Sequence, residues 1–521
     1  MEVLTMETRT TCTTGNPAGE IQYFKAILVV TLGVVIALGV PVKATVPIVA
    51  TGDPSTDFEA IQNALDSGGE VLLRNGVDSD ANPISFNLEG IWKVLRITQN
   101  VTFKGQDDAA GHRAKIIANN NDNPAIIIDN PGGTVEFRGL NIESTSRRII
   151  IIGDGPWPLA LRDACKDFTV KDCNIVGTHE QASCIEAWGG LTGTLFLEGN
   201  HITGYFCVGD WALGAGLISE AKWEIYSNEF VASGSSCLAA WSSKGVRIEN
   251  NRCEGPIILD APTAQGEIIV KNNIMIQSGH NVYEGNNAAG LLVSHWDGFS
   301  GGEISGNAIN MNPSEDVQLQ FVPAISLADY VAGAGHGAHG LLVQDNTITG
   351  KADYGIVLDN GASDNIIRRN NLVNFTALQF GSYGAAQIAD QPACHSNLFT
   401  GNVIGSLASE AFGGIVCRGT DNDIIRNDYR RSNIPGLTSS DRPCVILGAA
   451  SEGNLVFELG GLPFGTGGST EQVLDLPREP DPQKAGSTTT NIVVGHSADI
   501  LAEDINPGVA QRVREALAIL P

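Results

Sequence analysis

The sequence predicts an all-β solenoid, a stack of short coils made of strands and turns. Three observations predict it. First, an asparagine recurs at the close of similar segments, at Asn141, Asn174, Asn200, Asn228, Asn251, Asn273, Asn307, Asn346, Asn371, Asn402 and Asn427. The steps run from 22 to 39 residues, and a period in the twenties with insertions marks a coil repeat. Second, a β-prone run with alternating apolar residues stands before many of these asparagines, as in TLFLEGN, WEIYSN, VRIENN and EIIVKNN. Alternation with period two is the strand signal. Third, only two or three residues and often a glycine follow each asparagine, within a chain of 61 glycines. That leaves no room for a helix, so each coil reads as strand, turn, strand, turn. Asparagine tolerates left-handed backbone angles and bonds nearby backbone groups, which suits a corner. Stacked coils set Asn over Asn, so a row of amide bonds along the stack is expected.

The elements follow in chain order. Residues 1–44 contain the apolar run AILVVTLGVVIALGV at 26–40, preceded by Lys25. It reads as a signal peptide cut after Ala44, with an uncleaved anchor as the alternative. A secreted or periplasmic protein is expected, or a membrane-anchored one if the segment stays. Thr56-Asp57-Phe58-Glu59 has the form of a capping box with Thr56 as N-cap. Phe58, Ile61 and Leu65 give the helix that follows one apolar stripe, and Gly68-Gly69 ends it before a strand at 71–73. The open end of a solenoid exposes core, so a covering helix is expected there. Coils fill residues 45–460. Residues 461–505, with Pro477, Pro480 and Pro482, read as a linker or strap. Residues 506–521 read as a last helix with Val509, Val513, Leu517 and Leu520 on one side.

The segments WEIYSN, VRIENN and EIIVKNN, with the entry helix and "RNG" at 74–76, resemble the right-handed parallel β-helix of the pectate-lyase-like superfamily, including its NosD-like periplasmic members. The resemblance covers roughly residues 55 to 460. It implies the fold, and it leaves activity open among hydrolases, lyases and non-catalytic proteins.

The chain carries 58 acids against 32 bases, a net charge of −26. Nucleic acid is therefore not an expected partner, since binding it takes a basic footprint. The acidity suits a soluble secreted protein, a salty habitat or calcium binding, so calcium is the one metal kept open. Of ten cysteines, none forms a CxxC pair. Cys184, Cys207 and Cys237 stand at matching places in successive coils, which favours a stack of core thiols over disulfides.

A finer repeat runs SCIEAW, FCVGDW, SCLAAW, PIILDA, LLVSHW, GIVLDN and GIVCRG. Anchored on Cys184, Cys207, Cys237, Ile257, Leu292, Ile356 and Ile415, it places Ala187, Asp210, Ala240, Asp260, His295, Asp359 and Arg418 three residues on. If the anchor points inward, strand alternation turns that row outward. Asp210 and Asp260 then lie two coils apart, roughly 9–10 Å at the usual strand spacing. Inverting glycosidases hold their carboxyls about 6.5–9.5 Å apart. Asp210 as base and Asp260 as acid, with His295 and Asp359 further along, form the candidate catalytic row. Trp188, Trp211, Trp241 and Trp296 follow at the next place, four residues from the anchors. They are candidate platforms for sugar rings, or else corner wedges.

Gly335-His336-Gly337 matches one element of the polygalacturonase pattern, but no Asn-Thr-Asp or Arg-Ile-Lys accompanies it. A lyase needs a base for the proton beside a uronate carboxyl, and Lys222, Lys244, Lys271, Arg247 and Arg252 lie in these coils without one standing out. The leading expectation is a secreted protein that binds or hydrolyses a polysaccharide or cell-surface glycan. The alternatives are a non-catalytic NosD-like solenoid and a polysaccharide lyase, with a trimeric spike-like adhesin behind them.

Overall fold

The computed structural model describes residues 46–495. Its description omits 91–92, 120–122, 154–162, 188–189, 211–220, 242–243, 261–266, 280–288, 295–301, 314–322, 328–337, 353, 360, 377–385, 389–393, 407–414, 418, 432–444, 448–451, 459–472 and 476–491. The apolar run at 26–40 and the expected helix at 506–521 lie outside the described residues. No helix among the described residues is long and apolar enough to cross a membrane.

The chain is a right-handed parallel β-helix. Its strands form three long sheets of 16, 13 and 14 strands, each sheet visited once per coil. One coil runs through Cys165–Lys171 in the first sheet, Asn174–Gly177 in the second and Ser183–Ala187 in the third. The next repeats the order with Thr194–Glu198, His201–Gly204 and Phe206–Asp210. Each strand pairs in parallel with its counterpart one coil away. The expectation of two strands per coil is therefore corrected to three. The residues after each asparagine form a short strand of their own before the chain bends again. The sheets also run past residue 460. Val473–Asp475 pairs with Val445–Leu447, and Ile492–Gly495 pairs with Leu455–Glu458.

The corner between the first and second sheets carries the asparagine row. Asn200 Nδ2 donates to Asn228 Oδ1 at 2.8 Å, and the same bond continues through Asn251, Asn273, Asn307, Asn346, Asn370, Asn402 and Asn427. Each amide also bonds main chain, as Asn273 does by donating to the Ile248 carbonyl at 2.9 Å. The left-handed angle belongs to the residue before, not to the asparagine: Ser227, Asn250, Asn272, Asp345, Arg369 and Arg426 have φ between 52° and 59°. Three asparagines of the sequence repeat stand one residue off this row. Asn141 and Asn174 are in register with His201, and Asn370 rather than Asn371 is the ladder member. A second row was not foreseen. Asn365, Asn397, Asn422 and Asn454 bond in the same way at the corner entering the first sheet.

The interior is one continuous apolar column. Phe103, Phe137 and Phe168 stack edge to face at 5.4 and 5.3 Å. The eight described cysteines are all free and buried. Cys184, Cys207 and Cys237 belong to the core, and the Cys237 thiol lies against those of Cys207 and Cys253. At the entry, the helix Pro54–Ser67 buries Phe58, Ile61 and Leu65. Its N-cap is Asp53, which accepts from the Thr56 N–H, with Pro54 opening the helix. Thr56 is thus inside the helix, because Asp53 caps it three places earlier and Pro54 supplies a better first-turn residue. Asp57 is buried and accepts from the N–H groups of Thr51 and Gly52 at 2.8 and 3.0 Å.

Candidate functional site

The register of the third sheet divides the expected catalytic row. Asp210 pairs with Ala187 on one side and Ala240 on the other. Ala240 pairs with Leu259, so Asp260 stands one place further on, beside Trp241 and Ser294. Asp210 and Asp260 therefore occupy neighbouring rows of opposite parity. Ala187, Ala240 and Leu259, which share the row of Asp210, are core residues, whereas Asp210 itself is described by backbone alone. The cause is local. At this corner two consecutive residues, such as Cys184 and Ile185 or Cys237 and Leu238, both join the core. The parity counted from the cysteine is thereby shifted by one. In addition, Leu238 and not Cys237 pairs with Ile257, so the count from the anchor slips by one residue between these two coils.

Asp359 follows the strand Tyr354–Leu358 and sits in a turn. Its N–H donates to the Leu327 carbonyl, and its own carbonyl accepts from Ala362. His295, Trp188, Trp211 and Trp296 lie outside the described residues, as do His336 and Arg418. Trp241 and Asp260 are described by backbone alone, each ending its strand. Among the described residues no group of three or more His, Cys, Asp or Glu is placed to hold a metal ion.

The outward central row of the third sheet is not open either. Ala239 is 0 % exposed, Ile258 4 % and Leu292 1 %, and they cluster with Phe206 and Tyr205. The same row holds Glu186, buried and 3.5 Å from Arg148. A polymer laid along this row would meet covered side chains.

The first sheet is different. Its inward residues, Val135, Phe168, Leu195, Trp223 and Val246, fill the core. Alternation turns the intervening residues outward, in two registered rows. One passes Glu70, Thr102, Glu136, Thr169, Phe196 and Glu224. The other passes Lys104, Arg138, Lys171, Glu198 and Tyr226. Near the start of these rows lies an open trough of about 670 Å³. Threonines 102, 134, 169 and 194 line it together with Glu70, Glu136, Asp167, Lys171 and Phe196.

The trough ends at Phe196, whose ring lies beside that of Tyr226. Phe196 and Tyr226 lie on adjacent strands with centroids 5.7 Å apart and planes tilted by 50°. The Lys171 ammonium stands 4.6 Å from the Phe196 centroid and 3.2 Å from a Glu198 oxygen. Arg138 Nε donates to Glu136 at 3.1 Å, and that carboxylate holds the guanidinium above its ordinary value. Asp167 accepts from the Thr194 N–H at 2.9 Å. The arrangement offers hydroxyls and carboxylate oxygens over a strip of sheet that ends in half-buried aromatic faces. Such a surface bonds hydroxyl groups and covers the apolar side of a ring.

Sequence reasoning passed over this face, although TLFLE carried the signal. With Leu195 and Leu197 inward, alternation alone turns Phe196 outward.

No protein-family model matches the chain, and no curated protein matches it in sequence. Among solved structures, it is similar to the DFA-IIIase from Arthrobacter chlorophenolicus A6, without its lid and in complex with GF2, at 13% identity and a TM-score of 0.39. That match covers 87% of this chain and 97% of the other. It is also similar to tailspike protein 3 of Bacteriophage CBA120, at 11% identity and a TM-score of 0.40, over 85% of this chain and 59% of that one. What this chain does has to be read from its own residues.

Proposed function

We propose that this β-helix binds a polysaccharide along the outer face of its first sheet, with Phe196 and Tyr226 as the ring platform. The observation that carries the reading is the outward aromatic pair at the end of a trough lined by threonine hydroxyls and carboxylates. Carboxylates and hydroxyls accept and donate to sugar hydroxyls, while the rings take the CH face. The carboxylates here are engaged by neighbouring cations, Glu136 by Arg138, Glu198 by Lys171 and Glu224 by Lys222. Binding therefore fits this face better than proton transfer does.

The test is native electrophoresis through polysaccharide-loaded gels. Phe196→Ala and Tyr226→Ala should each abolish retardation while leaving the melting temperature within a few degrees, since both side chains lie on the surface. Unchanged retardation in both variants would remove this face from the function.

A hydrolytic reading keeps one support, the register that sets Asp260 beside Trp241 on adjacent coils. Strands so paired are about 4.8 Å apart, close enough for a carboxylate and an aromatic ring to serve one sugar. On this reading, new reducing ends appear from a polysaccharide panel and vanish in Asp260→Asn. Release that persists in Asp260→Asn would exclude that carboxylate from the chemistry.

A further inference from the structure

We infer that the ligand of the first-sheet trough is a neutral, hydroxyl-rich glycan and not a uronate or sulfated one. This rests on the polysaccharide-binding reading and narrows it. The charges of the lining decide the matter. Among the lining residues, Glu70, Glu136 and Asp167 stand against Lys171; with Arg138 beside Glu136 and Glu198 beside Lys171 counted as well, four carboxylates against two cations leave the trough two charges negative. Lys171 is already held by Glu198 at 3.2 Å and by the Phe196 ring. Arg138, in the next row, is held by Glu136. A sugar carboxylate or sulfate would have to compete with a protein carboxylate at each of these cations. It would also sit against Glu70 and Asp167 while doing so.

Neutral hydroxyls face no such conflict. Each donates to a carboxylate or threonine oxygen, and hydrogen bonds to charged acceptors are the stronger kind. The whole molecule adds to this selection. A net charge of −26 sets up a field that repels polyanions before contact. That field reaches about 8 Å at physiological salt and further as salt falls.

The test compares polymers that differ in charge alone. Full-length protein is run through native gels loaded with dextran, mixed-linkage β-glucan, galactomannan or arabinoxylan, and with the carboxymethyl derivative of each. At low salt we expect retardation by at least one neutral polymer and at least about tenfold weaker retardation by its derivative. The gap should narrow in high salt and in Glu136→Gln, and Phe196→Ala should abolish retardation by the neutral polymer.

A derivative that binds as tightly as its parent, or more tightly, overturns the inference about charge and leaves the binding reading in place. Retardation that survives both Phe196→Ala and Tyr226→Ala places the ligand elsewhere and overturns it as well. If no polymer of either kind retards the protein, the inference and the binding reading fall together.

Discussion

At the scale of the single residue, asparagine and cysteine do the structural work of this chain in different ways. The ladder asparagine does not bend the chain. The residue before it takes the left-handed angle, and the amide then bonds the main chain and the next amide. This explains why the preceding place accepts Gly, Asp, Ser, Asn or even Arg, while the ladder place from Asn200 to Asn427 is always Asn. The cysteines are small core residues. Burial pushes the Cys173 and Cys417 thiols up to about 12, and the thiolate is the reactive form. Native protein treated with iodoacetamide should therefore leave all eight described cysteines unlabelled by mass spectrometry, with full labelling after denaturation. Rapid native labelling of any of them would contradict the core stack.

At the scale of the element, the strength of each coil is in its corners. Asn273→Ala would remove the acceptor of the Asn251 main-chain N–H and side-chain amide, and the side-chain donor to the Ile248 carbonyl and the Asn307 oxygen. Unmade buried bonds of this kind cost about 3 kcal/mol in sum, which denaturant unfolding would reveal as a lower midpoint. Asn174→Ala is the control. Asn174 is off the ladder and its Oδ1 is buried without a partner, so its removal should cost far less. Equal losses in the two variants would deny the ladder its role.

The same scale shows what the sequence could and could not disclose. The strands ahead of the asparagines were legible because one face is wholly apolar, and Phe58, Ile61 and Leu65 marked the cap helix because their spacing is helical. The rows of the third sheet were not legible. Cys184 and Ile185 both turn inward at the corner, and Ile257 reads as the counterpart of Cys237 although it pairs with Leu238. Hydrophobicity alone cannot detect a slip of one residue, yet such a slip exchanges the two faces of a strand. The second asparagine row was written as SDN, HSN and TDN before three first-sheet strands, but its shorter run was lost beside the longer one.

At the scale of the whole molecule, a solenoid has no centre, and each coil depends on its neighbours. Its ends are therefore the weak places. The helix Pro54–Ser67 covers the first coils with Phe58, Ile61 and Leu65, above the buried Leu73, Phe86 and Leu95. Deleting residues 46–68 should bare that core together with a strand edge, and exposed edges recruit other chains. Size-exclusion chromatography with light scattering should then show large species in place of the state seen for the intact chain. An unaltered profile would mean that the helix is dispensable as a cover.

The two amide rows also differ in where they run. One extends from Asn200 to Asn427 and the other from Asn365 to Asn454, so they overlap only between Asn365 and Asn427. Their bonds join coil to coil and so lie along the direction of a pull applied at the two ends of the stack. Under tension, the overlapping stretch would share the load between two cables, whereas the stretch from Asn200 to Asn346 would hang from one. In a force-extension experiment the protein should pay out its coils in small, repeated steps. Those steps should begin where a single cable carries the load and reach the doubly tied stretch last.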